Sequence, residues 1–108
     1  NYFPDYQALF NTSNRIKNDE FDFDIFLSGL TNKKMITLCF SILGFQLHTM
    51  AQYLGVSEKA ISSRLSSVKS ELAKYFIDYD DFRFYCMRMD VYRKVRMVVL
   101  KVLNVKFM

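Results

Sequence analysis

Three glycines and one proline serve all 108 residues. A β-sandwich or barrel of this length needs a turn roughly every 8–12 residues, and glycine and proline make most such turns. Their scarcity predicts helices, and the expected fold class is all-α. From Leu30 onward the apolar spacing agrees. Thr31 is placed to cap a helix through about Leu43, with Met35, Leu38, Cys39, Ile42 and Leu43 on one face. Gly44 is placed to end that helix with a positive φ. A short helix follows from about His48 to Leu54, with Met50, Ala51 and Leu54 inward. Gly55-Val56-Ser57 forms a tight turn. Ser57 then caps a third helix, with Glu58 at the positive end of its dipole. This helix, residues 57–76, buries Ile61, Leu65, Val68 and Leu72 and turns Lys59 and a run of serines outward.

Both ends of the chain are less regular. Residues 1–29 form a lead or linker, in which Pro4 can open a helix through Ile16. Phe21-Asp22-Phe23-Asp24-Ile25-Phe26 alternates as a strand does, yet the same stretch suits a linker or a helix start. In residues 77–108, Asp80 and Asp81 mark a helix N-terminus rather than an acid/base pair. From Phe82, the residues Tyr85, Met89, Tyr92, Val95, Val99, Val102 and Leu103 predict one amphipathic helix of about 20 residues. Arg83, Arg88, Arg93, Lys94 and Lys101 lie mostly on its outer side, and Met97 to Leu100 suits either a helix end or a strand.

Composition excludes several function classes. Apolar residues are 51% and charged residues 24% of the chain, which rules out a disordered or low-complexity protein. Cys39 and Cys86 lie in apolar surroundings without metal-ligand spacing, so neither a disulfide scaffold nor a zinc site is expected. A reducing cytoplasm suits them. No apolar run reaches the roughly 18 residues that span a bilayer, and no signal peptide opens the chain, so no membrane partner is expected. Asn1 in place of Met predicts a chain that is processed, truncated or cut from a longer protein. No glycine-rich phosphate loop and no nucleophile constellation surrounds His48, the one histidine, and an enzyme is not expected. Cofactors are not expected either.

The charge is unevenly spread. Residues 1–29 hold two basic and five acidic residues, residues 30–76 six and two, and residues 77–108 seven and four. An acidic lead before a basic body suits either a module that meets a polyanion or a mixed solvated surface. Residues 48–70 tip the balance, because they have the make-up of a helix-turn-helix. One helix crosses the duplex backbone, a glycine-bearing turn angles the next helix away, and that helix offers a small polar face to the major groove.

Leu30 to Leu72, 43 of the 108 residues, resembles without a gap the DNA-binding domain of LuxR/FixJ-type bacterial transcription regulators, the GerE-type helix-turn-helix. The matching positions are Leu30-Thr31, Leu38, Gly44, Ala51, Leu54, Ser57, Ile61, Val68 and Leu72. Asn32, Lys33, Lys34 and Met35 depart from the family's acidic and arginine residues, and Ser62 stands where the family usually has lysine. The resemblance implies a sequence-specific regulator that binds double-stranded DNA, contacts RNA polymerase and pairs as a homodimer, here through the tail helix. A sensor or receiver domain would typically precede it. It implies that helix 57–76 enters the major groove with Ser62, Ser63 and Ser66 facing bases and Ser67 among the DNA-binding residues. Lys59, Arg64 and Lys69 would meet bases or phosphates, His48 would meet solvent or a phosphate, and Thr49 counts among the DNA-binding residues. Lys33, Lys34 and the basic tail would add to the affinity. The uncharged groove face and apolar tail keep a second reading open: a helix-turn-helix protein-interaction module, akin to sigma-factor region 4, with weak or no DNA binding.

Overall fold

Among the described residues, short polar side chains open most helices by one piece of chemistry. Asp22, Thr31, Ser57 and Asp78 each sit in extended backbone, and each side chain accepts a hydrogen bond from the amide three residues on. The computed structural model describes residues 21–107, with side chains through Asn104. Its helices are α1 (Phe23–Ser28), α2 (Asn32–Ile42), α3 (Leu47–Leu54), α4 (Glu58–Leu72), α5 (Tyr79–Tyr85) and α6 (Met89–Phe107). The fold is all-α, as the scarcity of turn-formers predicts, and it ends on a long helix.

The caps differ in completeness. At α5 the bonding is reciprocal: the Asp81 amide donates to Asp78 at 3.0 Å, and the Asp78 amide donates to the Asp81 carboxylate at 3.2 Å. At α4 the Ala60 amide donates to Ser57 Oγ at 3.1 Å. Ser57→Ala is expected to cost about 1 kcal/mol, seen as a lower urea midpoint with an unchanged slope. At α3, Gln46 makes no side-chain cap bond, and the helix is set instead by the glycines on either side. Gly44 and Gly55 adopt φ of 90° and 68°, a left-handed region in which a Cβ is strained.

Helix α2 is central, packing on both α4 and α6. Leu38, Cys39 and Phe40 are completely buried, so three successive residues face protein. Thr37 is buried with them. Its hydroxyl donates to the Lys33 carbonyl at 2.7 Å, which satisfies a polar group inside the core. Helix α4 contributes Ile61, Val68 and Leu72 to the core, and α6 contributes Val91, Val95 and Val99.

Two aromatic clusters hold these helices in register. In the larger, Phe82 lies 5.4 Å from Phe76, 5.9 Å from Tyr79, 6.1 Å from Phe21 and 6.4 Å from Phe23, between ring centroids. It ties the chain before α1 to the α4–α5 connection and to α5. In the smaller, Phe40, Phe45 and Tyr53 meet at 4.8 to 6.4 Å, and join α2, the α2–α3 loop and α3. On the surface, Lys94 Nζ reaches Asp24 Oδ2 at 2.6 Å and links α6 to α1.

Several expectations are corrected. The single helix expected from Phe82 is two helices, α5 and α6, broken at residues 86–88. The reason is register. Phe82 and Cys86 face inward, and a continuous helix would bring Asp90 to the same face one turn later. The break shifts the chain by one residue, so Val91 enters the core and Asp90 stays outside near Arg88, 3.8 Å from its Nε. Met89 and Tyr92, expected inward, are 74% and 41% exposed. Met97 to Leu100, open between helix end and strand, is helical. Helix 57–76 ends earlier, at Leu72, and Phe76 packs in the core from the following turn. Of the alternatives open for Phe21 to Phe26, the helix start is the one found: Asp22 is the cap of α1, and the rings on either side of it both join the aromatic cluster. The helix expected from Pro4 to Ile16 lies outside the described residues. Among the described residues, no helix is long and apolar enough to cross a membrane.

Candidate nucleic-acid interface

Helix α3 must be held firmly if the helix after it is to present a defined face. Met50 and Ala51 are buried beneath it, and Tyr53 is fixed at one end by Phe40 and Phe45. The left-handed Gly55 donates its amide to the Ala51 carbonyl, as Val56 does at 3.1 Å, and the chain reverses into Ser57 within three residues. Helix α4 packs back on α3 and on α2.

The outer face of α4 carries no apolar side chain. Lys59, Ser62, Ser63, Ser66 and Ser70 are all exposed, and helical spacing sets them opposite Ile61, Val68 and Leu72. Serine is a mediocre helix former. A serine-rich face is slim and offers hydroxyls that both donate and accept. Glu58 occupies the first turn, so a carboxylate already sits at the positive helix end, and that end is a poor seat for a phosphate.

The other sequence-predicted residues stand on the flanks. Arg64 is half-buried, and its Nη1 donates to Thr37 Oγ1 at 3.4 Å. It borders a cavity of about 220 Å³ with Lys33, Ile36, Leu54 and Val56. Ser67 is half-buried on the same side, against Lys34, Glu71 and Tyr75 in a second cavity. Lys69 stands on the opposite flank, with its Nζ 4.6 Å above the centre of the Tyr79 ring. That ring is anchored, because the Tyr79 and Ser41 hydroxyls share a hydrogen bond of 2.7 Å. Burial pushes the Tyr79 hydroxyl above its ordinary pKa, and the Ser41 bond pulls it partly back. His48 is exposed and Thr49 half-buried in the first turn of α3, their Nε2 and Oγ1 atoms 3.4 Å apart.

The structure thus brings Lys59, Ser62, Ser63 and Ser66 onto one open surface. It sets Arg64 and Ser67 on one side of that surface and Lys69 on the other. Thr37, Ser41 and Tyr79, which hold Arg64 and Lys69 in place, escape sequence reasoning. A mid-helix threonine and a tyrosine after an aspartate carry no pattern that marks them as supports.

The thiols offer no chemistry at neutral pH. Burial pushes Cys39 from 9.0 up to about 12, and pushes Cys86 up as well, with the nearby Cys39 adding to the effect. Both are completely buried and free. A thiol ionising near 9 when unfolded and near 12 when folded leaves stability whole below pH 9 and lowers it as pH rises towards 12. Native protein at pH 8 is expected to resist thiol reagents until urea unfolds it, and its unfolding temperature should fall above pH 9. Rapid labelling of either cysteine without denaturant would contradict this. Among the described residues, no three His, Cys, Asp or Glu side chains converge as metal ligands would. Comparison with known proteins finds no matching family model, no matching curated protein and no matching solved structure.

Proposed function

We propose that this chain is a helix-turn-helix module that binds double-stranded DNA, with α4 in the major groove, and acts in transcription regulation. One observation carries the proposal: the outward face of α4 is wholly polar and exposed, on a helix that follows a firmly held α3 and a three-residue turn. In such a complex Ser62, Ser63 and Ser66 hydroxyls meet base edges, and Lys59 meets a base or phosphate. Lys33 and Arg64 on one flank and Lys69 on the other lie where the two phosphate strands bound the groove. The resemblance of Leu30 to Leu72 to LuxR/FixJ-type domains supports the same conclusion and adds RNA polymerase as a partner. Pairing of two copies through the tail is not part of the proposal. Met89, Arg93, Arg96 and Leu100 share one exposed flank of α6, and a two-fold contact there would set arginines against arginines.

Titration of a fluorescent mixed-sequence duplex at several salt concentrations tests the proposal. Each neutralised phosphate contributes about −0.9 to the slope of log affinity against log salt, so four cations predict a slope of about −3 to −4. Absence of binding at low salt would reject it. The second reading, a protein-interaction module, is favoured by a different observation: Lys59 is the one cation on the outer face of α4 among the described residues, while α5 and α6 expose a broad apolar surface.

A further inference from the structure

Two cavities meet where α5, the 86–88 turn and α6 converge. The first, about 430 Å³, has Ile42, Leu43, Phe84 and Met87 in its wall and is bordered by Arg83 and Asp80. The second, about 380 Å³, is lined by Met87, Met89, Tyr92, Arg93 and Arg96. Met87 and Tyr92 line both, so the two adjoin and together make a groove whose lining mixes apolar side chains with arginines. Met87 is 68% and Met89 74% exposed, where a solvated surface would carry polar residues. Methionines are unbranched and polarisable, and suit a surface that adapts to an incoming apolar side chain.

The rim has a definite sign. Arg83, Arg93 and Arg96 border the groove and are exposed, and no described residue forms an ion pair with them. Asp80 is the one carboxylate lining either cavity, and Asp90 nearby is engaged by Arg88. The groove therefore joins exposed apolar side chains to three arginines. A second copy of the chain is a poor occupant, because it would bring the same arginines. A nucleic acid has no apolar side chains to set on methionines.

We propose that this groove docks an acidic amphipathic helical segment of a partner protein. Apolar residues at i, i+3 or i+4 and i+7 of that segment seat on Met87, Met89 and Tyr92, and its carboxylates pair with Arg83, Arg93 and Arg96. The residues that line it are not those assigned to the duplex, and the inference does not depend on DNA binding.

The test uses the intact chain and a labelled synthetic helix of about 16 residues, with leucines at those spacings and glutamates elsewhere. Two controls carry lysine for glutamate, or serine for leucine. Fluorescence anisotropy is expected to give micromolar binding of the acidic amphipathic helix and at least about tenfold weaker binding of either control. Met87→Ser with Met89→Ser should weaken it about tenfold. Arg93→Glu with Arg96→Glu should weaken it similarly and confer binding of the lysine peptide. All four positions are exposed, and circular dichroism checks that the variants keep their helices. Equal binding of the acidic and basic helices, or no binding of any, overturns the proposal. So does a dimer in sedimentation that the methionine variants dissociate. Arginine-dependent binding to phosphatidylglycerol vesicles without any peptide preference overturns it in favour of a lipid surface.

Discussion

Phe82→Ala is expected to cost about 3–5 kcal/mol, a large share of the roughly 5–15 kcal/mol that holds an ordinary domain folded. Phe82 is completely buried, and four aromatic rings stand around it within 6.4 Å. Those rings come from three separate parts of the chain. Collapse around the lost ring would have to move the chain before α1, Phe76 and α5 at once, so the cavity should persist and the cost should fall at the upper end of the range. Phe84, two residues on, is the control. It is 38% exposed and belongs to the groove wall, so Phe84→Ala should cost under about 1.5 kcal/mol. Urea unfolding followed by far-ultraviolet circular dichroism separates the two. Equal costs for both would mean that the ring cluster does not hold α5 in place.

Ser63→Glu combined with Ser66→Glu is expected to lower duplex affinity by about a hundredfold or more at low salt while the unfolding temperature stays within a few degrees. Both serines are exposed on the outward face of α4, where a glutamate is tolerated as a helix former. Two carboxylates there face phosphates at close range and also replace hydroxyls that donate to base edges. Lys101→Glu makes the same change of two charges from an exposed position on α6. It should weaken binding only severalfold, through the long-range field that salt screens. If both changes cost the same, only net charge matters and α4 is not the groove helix. If neither matters, the DNA proposal falls.

What was legible in the sequence is what local chemistry decides. Thr31 and Ser57 announce helix starts because a cap needs only a short hydroxyl and the amide three residues on. Gly55 announces a reversal because its backbone is left-handed, and the serine face of α4 follows from spacing alone. Partners distant in the chain are not legible. Arg64 reads as a free cation until Thr37, 27 residues earlier, appears beneath it, and Lys69 reads so until Tyr79 does. Phe21 to Phe26 stays open between strand, linker and helix start for a related reason. Phe21 and Phe23 both reach the same ring cluster, and the polar residue between them is a cap rather than the outer face of a strand. The break after Tyr85 is hidden too: unbroken helical spacing puts Met89 and Tyr92 inward, whereas the core takes Val91.

The ring clusters also give the molecule an optical signature. The chain has seven tyrosines and no tryptophan. Tyr75, Tyr79 and Tyr85 stand in the larger cluster and Tyr53 in the smaller, each within about 6.4 Å of a phenylalanine ring. Near-ultraviolet ellipticity therefore arises mainly from rings that fix one helix against another. A state that kept its helices while its rings lost their fixed angles would retain the far-ultraviolet spectrum and lose that signal. For this chain, the ellipticity within tyrosine's absorption band is a direct gauge of whether the helices are locked together.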